Sequence, residues 1–336
     1  MEILNRKVIV TGGAGFIGSE LVYQLVEKGA DVVVIDNLIN GKKENLDGVP
    51  QNKLKLFTTD IRNYEEINSI INDVDIIFHL ACLGVRHSIH SPYENHDVNA
   101  SATLQLLQLA RKNHIKKFVY VSSSEVYGTA RFVPMNEDHP TYPKTVYGSS
   151  KLAGECYTRA FFETYDFDTV IVRPFNTYGH RCHHEGDSGE VIPKFLLRGL
   201  SNKPMIIFGD GNQTRDFTYV QDTAIGILKI GLTEGIQGQT INLGSGREIS
   251  LNELANKVAQ VTGKQEPDII YDIPRPGDVL RLYADINKAE KIVSFQPNVT
   301  LIQGLTKLKD WYLSLGQTPE DLLKQESIRN WKINDV

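Results

Sequence analysis

Lys7-Val8-Ile9-Val10-Thr11-Gly12-Gly13-Ala14-Gly15-Phe16-Ile17-Gly18 sets a short apolar strand directly before a glycine-rich turn and the start of a helix. The spacing suits a pyrophosphate. Gly12 permits the tight turn, Gly15 lets backbone approach phosphate oxygens, and Gly18 lets the helix pack closely on the strand. Phosphate then meets the helix N-terminus and its unpaired N–H groups. Glycine-rich turns also occur in kinases and in plain loops, so the pattern takes its meaning from the neighbouring sequence. Ala30-Asp31-Val32-Val33-Val34-Ile35-Asp36 reads as a second buried parallel strand, ending in an acidic residue about 20 positions after the glycines. Asp36 is suited to accept both ribose hydroxyls of an adenosine, and its charge would repel a 2′-phosphate, which favours NAD over NADP. The structural alternative for Asp36 is a helix cap or turn residue.

The 336 residues suffice for one large or two modest domains. With 36 Lys and Arg against 41 Asp and Glu, the net charge of −5 offers no basic footprint for nucleic acid. No apolar run is long enough for a membrane span, and Met1-Glu2-Ile3-Leu4-Asn5-Arg6 enters a strand almost at once, so a cytoplasmic protein without a signal peptide is expected. Cys82, Cys156 and Cys182 are odd in number and lack C-x-x-C spacing, which points to reduced thiols. The run His180-Arg181-Cys182-His183-His184 could supply metal ligands, but its spacing is irregular and hydrogen bonding explains it equally well, so no metal is expected.

Strand-like runs at Val8 to Val10, Val32 to Ile35, Leu54 to Phe57, Ile76 to Leu80, Phe118 to Ser122 and Thr169 to Val172 alternate with helical patterns. The helical spacing falls at Ser19 to Lys28, Tyr64 to Ile71, Val98 to Asn113 and Tyr147 to Tyr165. Such alternation predicts an α/β fold with a Rossmann-type, doubly wound parallel sheet. After Arg173-Pro174-Phe175-Asn176 the pattern turns irregular, which predicts a smaller C-terminal substrate lobe. The expected division is a dinucleotide-binding domain over 1–175, with contributions from about 213–243, and a lobe over 176–212 and 244–336. The long helices at Val98 and Tyr147 could supply a dimer face, although periodicity alone does not separate such a face from core.

Tyr147-Gly148-Ser149-Ser150-Lys151 puts a phenol and an ammonium four residues apart on one helix face. A free tyrosine titrates near pH 10, and a neighbouring lysine together with the positive ring of an oxidised nicotinamide would bring it toward working pH. Taken alone, Y-x-x-x-K is common on helix surfaces. Val119-Tyr120-Val121-Ser122-Ser123-Ser124-Glu125-Val126-Tyr127-Gly128 is an apolar strand ending in three hydroxyls and a carboxylate, at the end of a strand where open α/β sheets place ligands. The serines could also merely cap the next turn.

Together, the G-x-x-G-x-x-G turn, the serine-rich strand end, Y-x-x-x-K and Arg173-Pro174-Phe175-Asn176 resemble the extended short-chain dehydrogenase/reductase family of nucleotide-sugar epimerases and dehydratases. Asp60-Ile61, His79-Leu80-Ala81, Asn99, Arg215-Asp216-Phe217 and Arg275-Pro276-Gly277-Asp278 come in the family's order, so the resemblance covers nearly the whole chain. It implies NAD held by Gly12, Gly15, Phe16, Ile17, Gly18, Asp36, Asn37, Asp60, Ile61, Leu80, Ala81, Asn99 and Pro174, with Tyr147 and Lys151 beside it. Tyr147 would be the catalytic base, Lys151 its electrostatic partner, and Ser123 a hydrogen-bond partner of the reacting sugar oxygen. The nucleotide-sugar would meet Arg86, Ser123, Ser124, Asn176, Val191 and Lys194. Arg215 and Arg275, with Asp278 in the same motif, would face its diphosphate. A homodimer is implied as well.

The shared first step of that family makes a 4-keto sugar and NADH, and the outcomes then diverge. A 4-epimerase rotates the keto sugar. A 4,6-dehydratase removes the C5 proton and expels the C6 hydroxyl, and a uronate decarboxylase loses CO₂. Glu125 falls where dehydratases and decarboxylases carry a glutamate, and a partly desolvated carboxylate is a competent base for C5. The preceding residue is Ser124, where many dTDP-glucose dehydratases carry an aspartate, so Ser-Ser-Glu looks closer to GDP-mannose-type dehydratases and glucuronate decarboxylases. Gly84-Val85-Arg86-His87-Ser88 and Arg275-Pro276-Gly277-Asp278-Val279 look more like 4-epimerases. The reading favoured is a nucleotide-hexose 4,6-dehydratase, with 4-epimerase and decarboxylase as alternatives. A non-enzymatic nucleotide-binding regulator on the same fold is disfavoured by the intact Ser123, Tyr147 and Lys151.

Overall fold

The computed structural model describes residues 2–331 other than 187 and 276. Seven parallel strands form its main sheet. In chain order the strands are β1 (Lys7–Thr11), β2 (Asp31–Asp36), β3 (Leu54–Thr58), β4 (Ile76–His79), β5 (Lys117–Val121), β6 (Thr169–Pro174), β7 (Asn176–Tyr178), β8 (Met205–Phe208), β9 (Thr214–Arg215), β10 (Phe217–Tyr219), β11 (Thr240–Leu243), β12 (Ile249–Ser250) and β13 (Ile269–Asp272). The spatial order β11-β6-β5-β4-β1-β2-β3 reverses direction between β1 and β4. That switch point is where a doubly wound sheet opens a crevice beyond its strand carboxyl ends.

Both faces of the sheet are covered, so its strands are apolar at almost every position. Val8, Val10, Val32 and Val34 face one way, onto the helices Phe16–Glu27 and Val220–Leu232. Ile9, Val33, Ile35 and Ile77 face the other way, onto Tyr64–Ile70, Ala102–Lys112 and Val146–Tyr165. The helix expected from Val98 to Asn113 begins earlier in the chain: Pro92–His96 leads through a π-helical turn at Asp97–Ser101 into Ala102–Lys112. β11 extends the sheet from far along the chain by pairing with β6, Ile241 opposite Val172.

A separate apolar cluster holds the C-terminal lobe. Phe195, Leu196, Leu197, Met205, Ile207, Leu254, Val258, Leu305 and Leu308 pack the helices Val191–Leu200, Leu251–Val261 and Leu301–Ser314 against a parallel β8–β13 pair. Two of these helices start with reciprocal capping, Ser250 with Glu253 and Thr300 with Gln303. Among the described residues no helix is long and apolar enough to cross a membrane.

Candidate active site

A cavity of about 700 Å³ runs from the glycine-rich turn to the C-terminal lobe. It is within the range of small-molecule sites. The turn after β1 forms one end. Gly12 has φ +68°, and a Cβ there would sit 2.7 Å from the Ala81 nitrogen. A Cβ on Gly18 would collide with the Gly12 carbonyl oxygen. Both positions therefore require glycine for the turn to close against β4 and the helix to start where it does. The Thr11 hydroxyl accepts from the N–H groups of Leu80 and Ala81, both at 3.2 Å, and lies 2.7 Å from His79 Nδ1. His79, completely buried, is pushed down to about 3 by its burial and stays neutral, with Nε2 2.9 Å from the Thr103 hydroxyl.

Asp36 ends β2 at the cavity edge. Its carboxylate accepts from the N–H of Ala14 at 3.0 Å and of Leu38 at 2.9 Å, while burial raises its pKa against that help. The carboxylate is thus held rigidly at a strand end, the geometry a ribose diol requires. Asp60 stands beside it, held at about 2 chiefly by its hydrogen bonds with Arg62 and joined to Asn37 Nδ2 at 3.0 Å. Gly12, Gly15, Phe16, Ile17, Gly18, Asp36, Asn37, Asp60, Ile61, Leu80, Ala81 and Pro174 all line this half of the cavity. The glycine cradle and the fixed carboxylate fit NAD.

Asn99 is placed differently from the sequence expectation. It stands behind the wall at 1% exposure, accepting from the Leu83 N–H and donating to the Leu83 carbonyl, both at 2.9 Å, and to Ser150 Oγ at 3.1 Å. It fixes the loop after β4 to the helix that carries Tyr147. Lys151 likewise lies outside the lining. Its ammonium donates to the Val121 carbonyl at 2.7 Å and sits 4.5 Å from the Tyr120 ring centroid, and burial lowers its pKa. Tyr147 faces the cavity with Ser122, Ser123, Ser124 and Glu125. Burial pushes its phenol well above the ordinary value; Cys82, Glu125 and Glu190 act in the same direction, and hydrogen bonding to Ser123 opposes them. Lys151, its ammonium directed at the β5 carbonyl, is not among the groups that shift the phenol most.

The other half of the cavity is lined by Arg86, Asn176, Val191, Lys194, Arg215, Arg275 and Asp278, while Pro276 of the same motif lies outside the described residues. Arg215 and Arg275 share one oxygen of Asp278, at 2.9 and 2.5 Å. Two guanidinium groups on one carboxylate leave donors for a diphosphate. Asn176 Oδ1 is buried with no hydrogen-bond partner among the described residues. Lys194 reaches the Ser327 carbonyl at 2.7 Å. Glu125 faces the arginines: burial raises its pKa, while Arg215 and Arg275 pull it down.

The cavity also brings in residues that no sequence motif marks. Glu190 lines it from the position before the helix Val191–Leu200. Residues 326, 328, 330 and 331 reach it from far along the chain, with Trp331 edge-on to Phe208 at 4.4 Å. Glu190 adjoins the Val191 to Phe195 segment, and that adjacency is the available signal; nothing local marks Trp331. The histidine run disperses. His180 pairs with Glu20 at 2.9 Å and Arg181 with the same oxygen at 2.6 Å, Cys182 is buried, and Glu185 pairs with Lys42 at 2.6 Å.

Residues 9–308 match the family described as GDP-mannose 4,6 dehydratase. A putative UDP-glucose 4-epimerase of Methanocaldococcus jannaschii is 38% identical over 315 residues, covering 93% of this chain and 100% of that protein. The UDP-N-acetylglucosamine 4-epimerase from Methanobrevibacter ruminantium M1, solved in complex with UDP-N-acetylmuramic acid, superimposes with a TM-score of 0.87 at 33% identity, over 93% of this chain and 99% of that one. DesIV, a dTDP-glucose 4,6-dehydratase from Streptomyces venezuelae solved with NAD bound, superimposes with a TM-score of 0.87 at 31% identity, over 92% and 97%. The chain belongs to the NAD-dependent nucleotide-sugar epimerases and dehydratases of the extended short-chain dehydrogenase/reductase family.

Proposed function

We propose that the protein is an NAD-dependent 4,6-dehydratase of a nucleotide-hexose. The observation that carries this reading is Glu125, a half-buried carboxylate in the same cavity as Ser123 and Tyr147, with its pKa raised by burial. NAD, when bound, supplies the reversible hydride acceptor that turns C4 of the sugar into a ketone. Tyr147 removes the proton of the C4 hydroxyl, with Ser123 hydrogen-bonded to the same oxygen. Arg215 and Arg275 exchange Asp278 for the diphosphate and so fix the sugar against Tyr147. The ketone acidifies the C5 proton, and Glu125 takes it, a step that epimerisation at C4 does not need.

A 4-epimerase is the second reading, favoured by the names of the Methanocaldococcus and Methanobrevibacter proteins. It would use Tyr147 and Ser123 alone and leave Glu125 with no chemical task. Glu125→Gln separates the two. The dehydratase reading expects the variant to accumulate a 4-keto sugar with reduced nicotinamide and to incorporate no solvent deuterium at C5. A variant that forms product at the wild-type rate would make Glu125 a structural hydrogen-bonding group.

A further inference from the structure

Among the carboxylates that line the cavity, Glu190 is one that proton removal at O4 and C5 leaves idle. Glu190 occupies the cap position of the helix Val191–Leu200, yet its side chain makes no capping hydrogen bond. Its backbone is committed elsewhere: its N–H donates to the His183 carbonyl at 2.9 Å, and its carbonyl accepts from the Lys194 N–H at 3.3 Å. The side chain lines the cavity with Ser123, Glu125 and Tyr147, and among the described residues its carboxylate has no hydrogen-bond or ion-pair partner.

Glu125 and Glu190 both act on the Tyr147 phenol, from different surroundings. Glu125 faces Arg215 and Arg275, with Asp278 and Arg86. Glu190 stands in the fields of His183, Arg86 and Glu185. Glu125 and Glu190, one facing a guanidinium pair and one not, are divided into a base and an acid by their settings. Burial raises Glu190 to about 6, so its protonated fraction shrinks as pH rises through that value.

Loss of water from C6 requires such a group. Hydroxide is a poor leaving group, and the C6–O bond breaks readily only with proton transfer to its oxygen. Ser124, next to Glu125 and 4% exposed, has a neutral hydroxyl and is no acid at working pH. On the dehydratase reading, we propose that Glu190 is the proton donor to the C6 hydroxyl, and that the sugar is a neutral hexose. Glu125 takes the C5 proton, the C5–C6 double bond forms as the C6–O bond breaks, and the oxygen leaves as water with the proton from Glu190. One proton arrives on Glu125 and one leaves Glu190, which regains its own from solvent; the step consumes no oxidant. A uronate would present a carboxylate at C6 to the ionised Glu125, and like charges repel there.

The test uses the full-length protein with UDP-, dTDP-, GDP- and CDP-hexoses in deuterated water. Glu190→Gln is expected to lose water at least about a hundredfold more slowly than wild type. It should still form reduced nicotinamide and return substrate deuterated at C5. Wild-type water loss should fall as pH rises above about 6. That limb should be absent in Glu190→Gln, and Glu190→Asp should restore part of the rate. Undiminished water loss in Glu190→Gln, or C5 exchange and water loss falling together, overturns the assignment of Glu190 alone. A wild type that inverts C4 with neither water loss nor C5 exchange overturns the dehydratase reading with it, a result of a different form.

Discussion

Tyr147 is half-buried in the cavity wall, and desolvation raises the pKa of its phenol. Lys151, four residues on, points instead at the Val121 carbonyl. Tyr147→Phe should therefore abolish turnover, by about a hundredfold to ten-thousandfold for a lost general base, while NAD affinity measured by titration stays unchanged. Retained turnover would remove Tyr147 from the chemistry. The sequence displays Ser123, Glu125 and Tyr147 because each stands in a short local pattern whose secondary structure fixes where the side chain points. Asn99 and Lys151 belong to equally readable patterns, yet the structure sets both behind the cavity wall, where they position the Leu83 loop and β5. Glu190 is not legible in the same way, because an acidic residue just before a helix normally reads as a favourable charge at its N-terminus.

At the scale of elements, the end of β6 is held by a buried ion pair. Arg173 donates to both oxygens of Glu155 at 2.8 and 2.6 Å and to the Tyr127 hydroxyl at 2.8 Å, and Glu155 is fully buried. This clamp ties the helix Val146–Tyr165 to the strand that leads into Pro174 and Asn176. Arg173→Met should destabilise the fold by about 3–5 kcal/mol, because it leaves Glu155 buried and unpaired. The double variant Arg173→Met with Glu155→Leu should recover much of that loss in denaturant unfolding, whereas equal losses would mean that the pair acts through packing. The parallel strands β1 to β6 are readable as apolar runs because both faces of the sheet are covered. The helices Leu251–Val261 and Leu301–Ser314 carry capping signals in Ser250 to Glu253 and Thr300 to Gln303, but the irregular stretches around them hide the helices from a search for apolar spacing. The β8–β13 pair cannot be read locally, since β9 to β12 lie between its strands in the chain and only packing brings them together.

Across the whole molecule, the reversal of strand order between β1 and β4 opens the crevice, and the C-terminal lobe closes its far side, so the glycine-rich turn and the Arg215–Arg275 pair line one cavity. We propose that two copies pair through the helices Ala102–Lys112 and Val146–Tyr165, where Leu104, Val146 and Tyr165 are exposed. Light scattering should then give twice the 37.7 kDa chain mass, and a monomer at working concentration would contradict the pairing. The outcome of the reaction is decided at C5. The most direct measurement is to incubate the purified protein with the nucleotide-hexose panel in deuterated water, following product mass and proton NMR. Loss of one water with deuterium at C5 is the predicted result. Unchanged mass with inverted C4 and no exchange at C5 would contradict it and return Glu125 to a structural role.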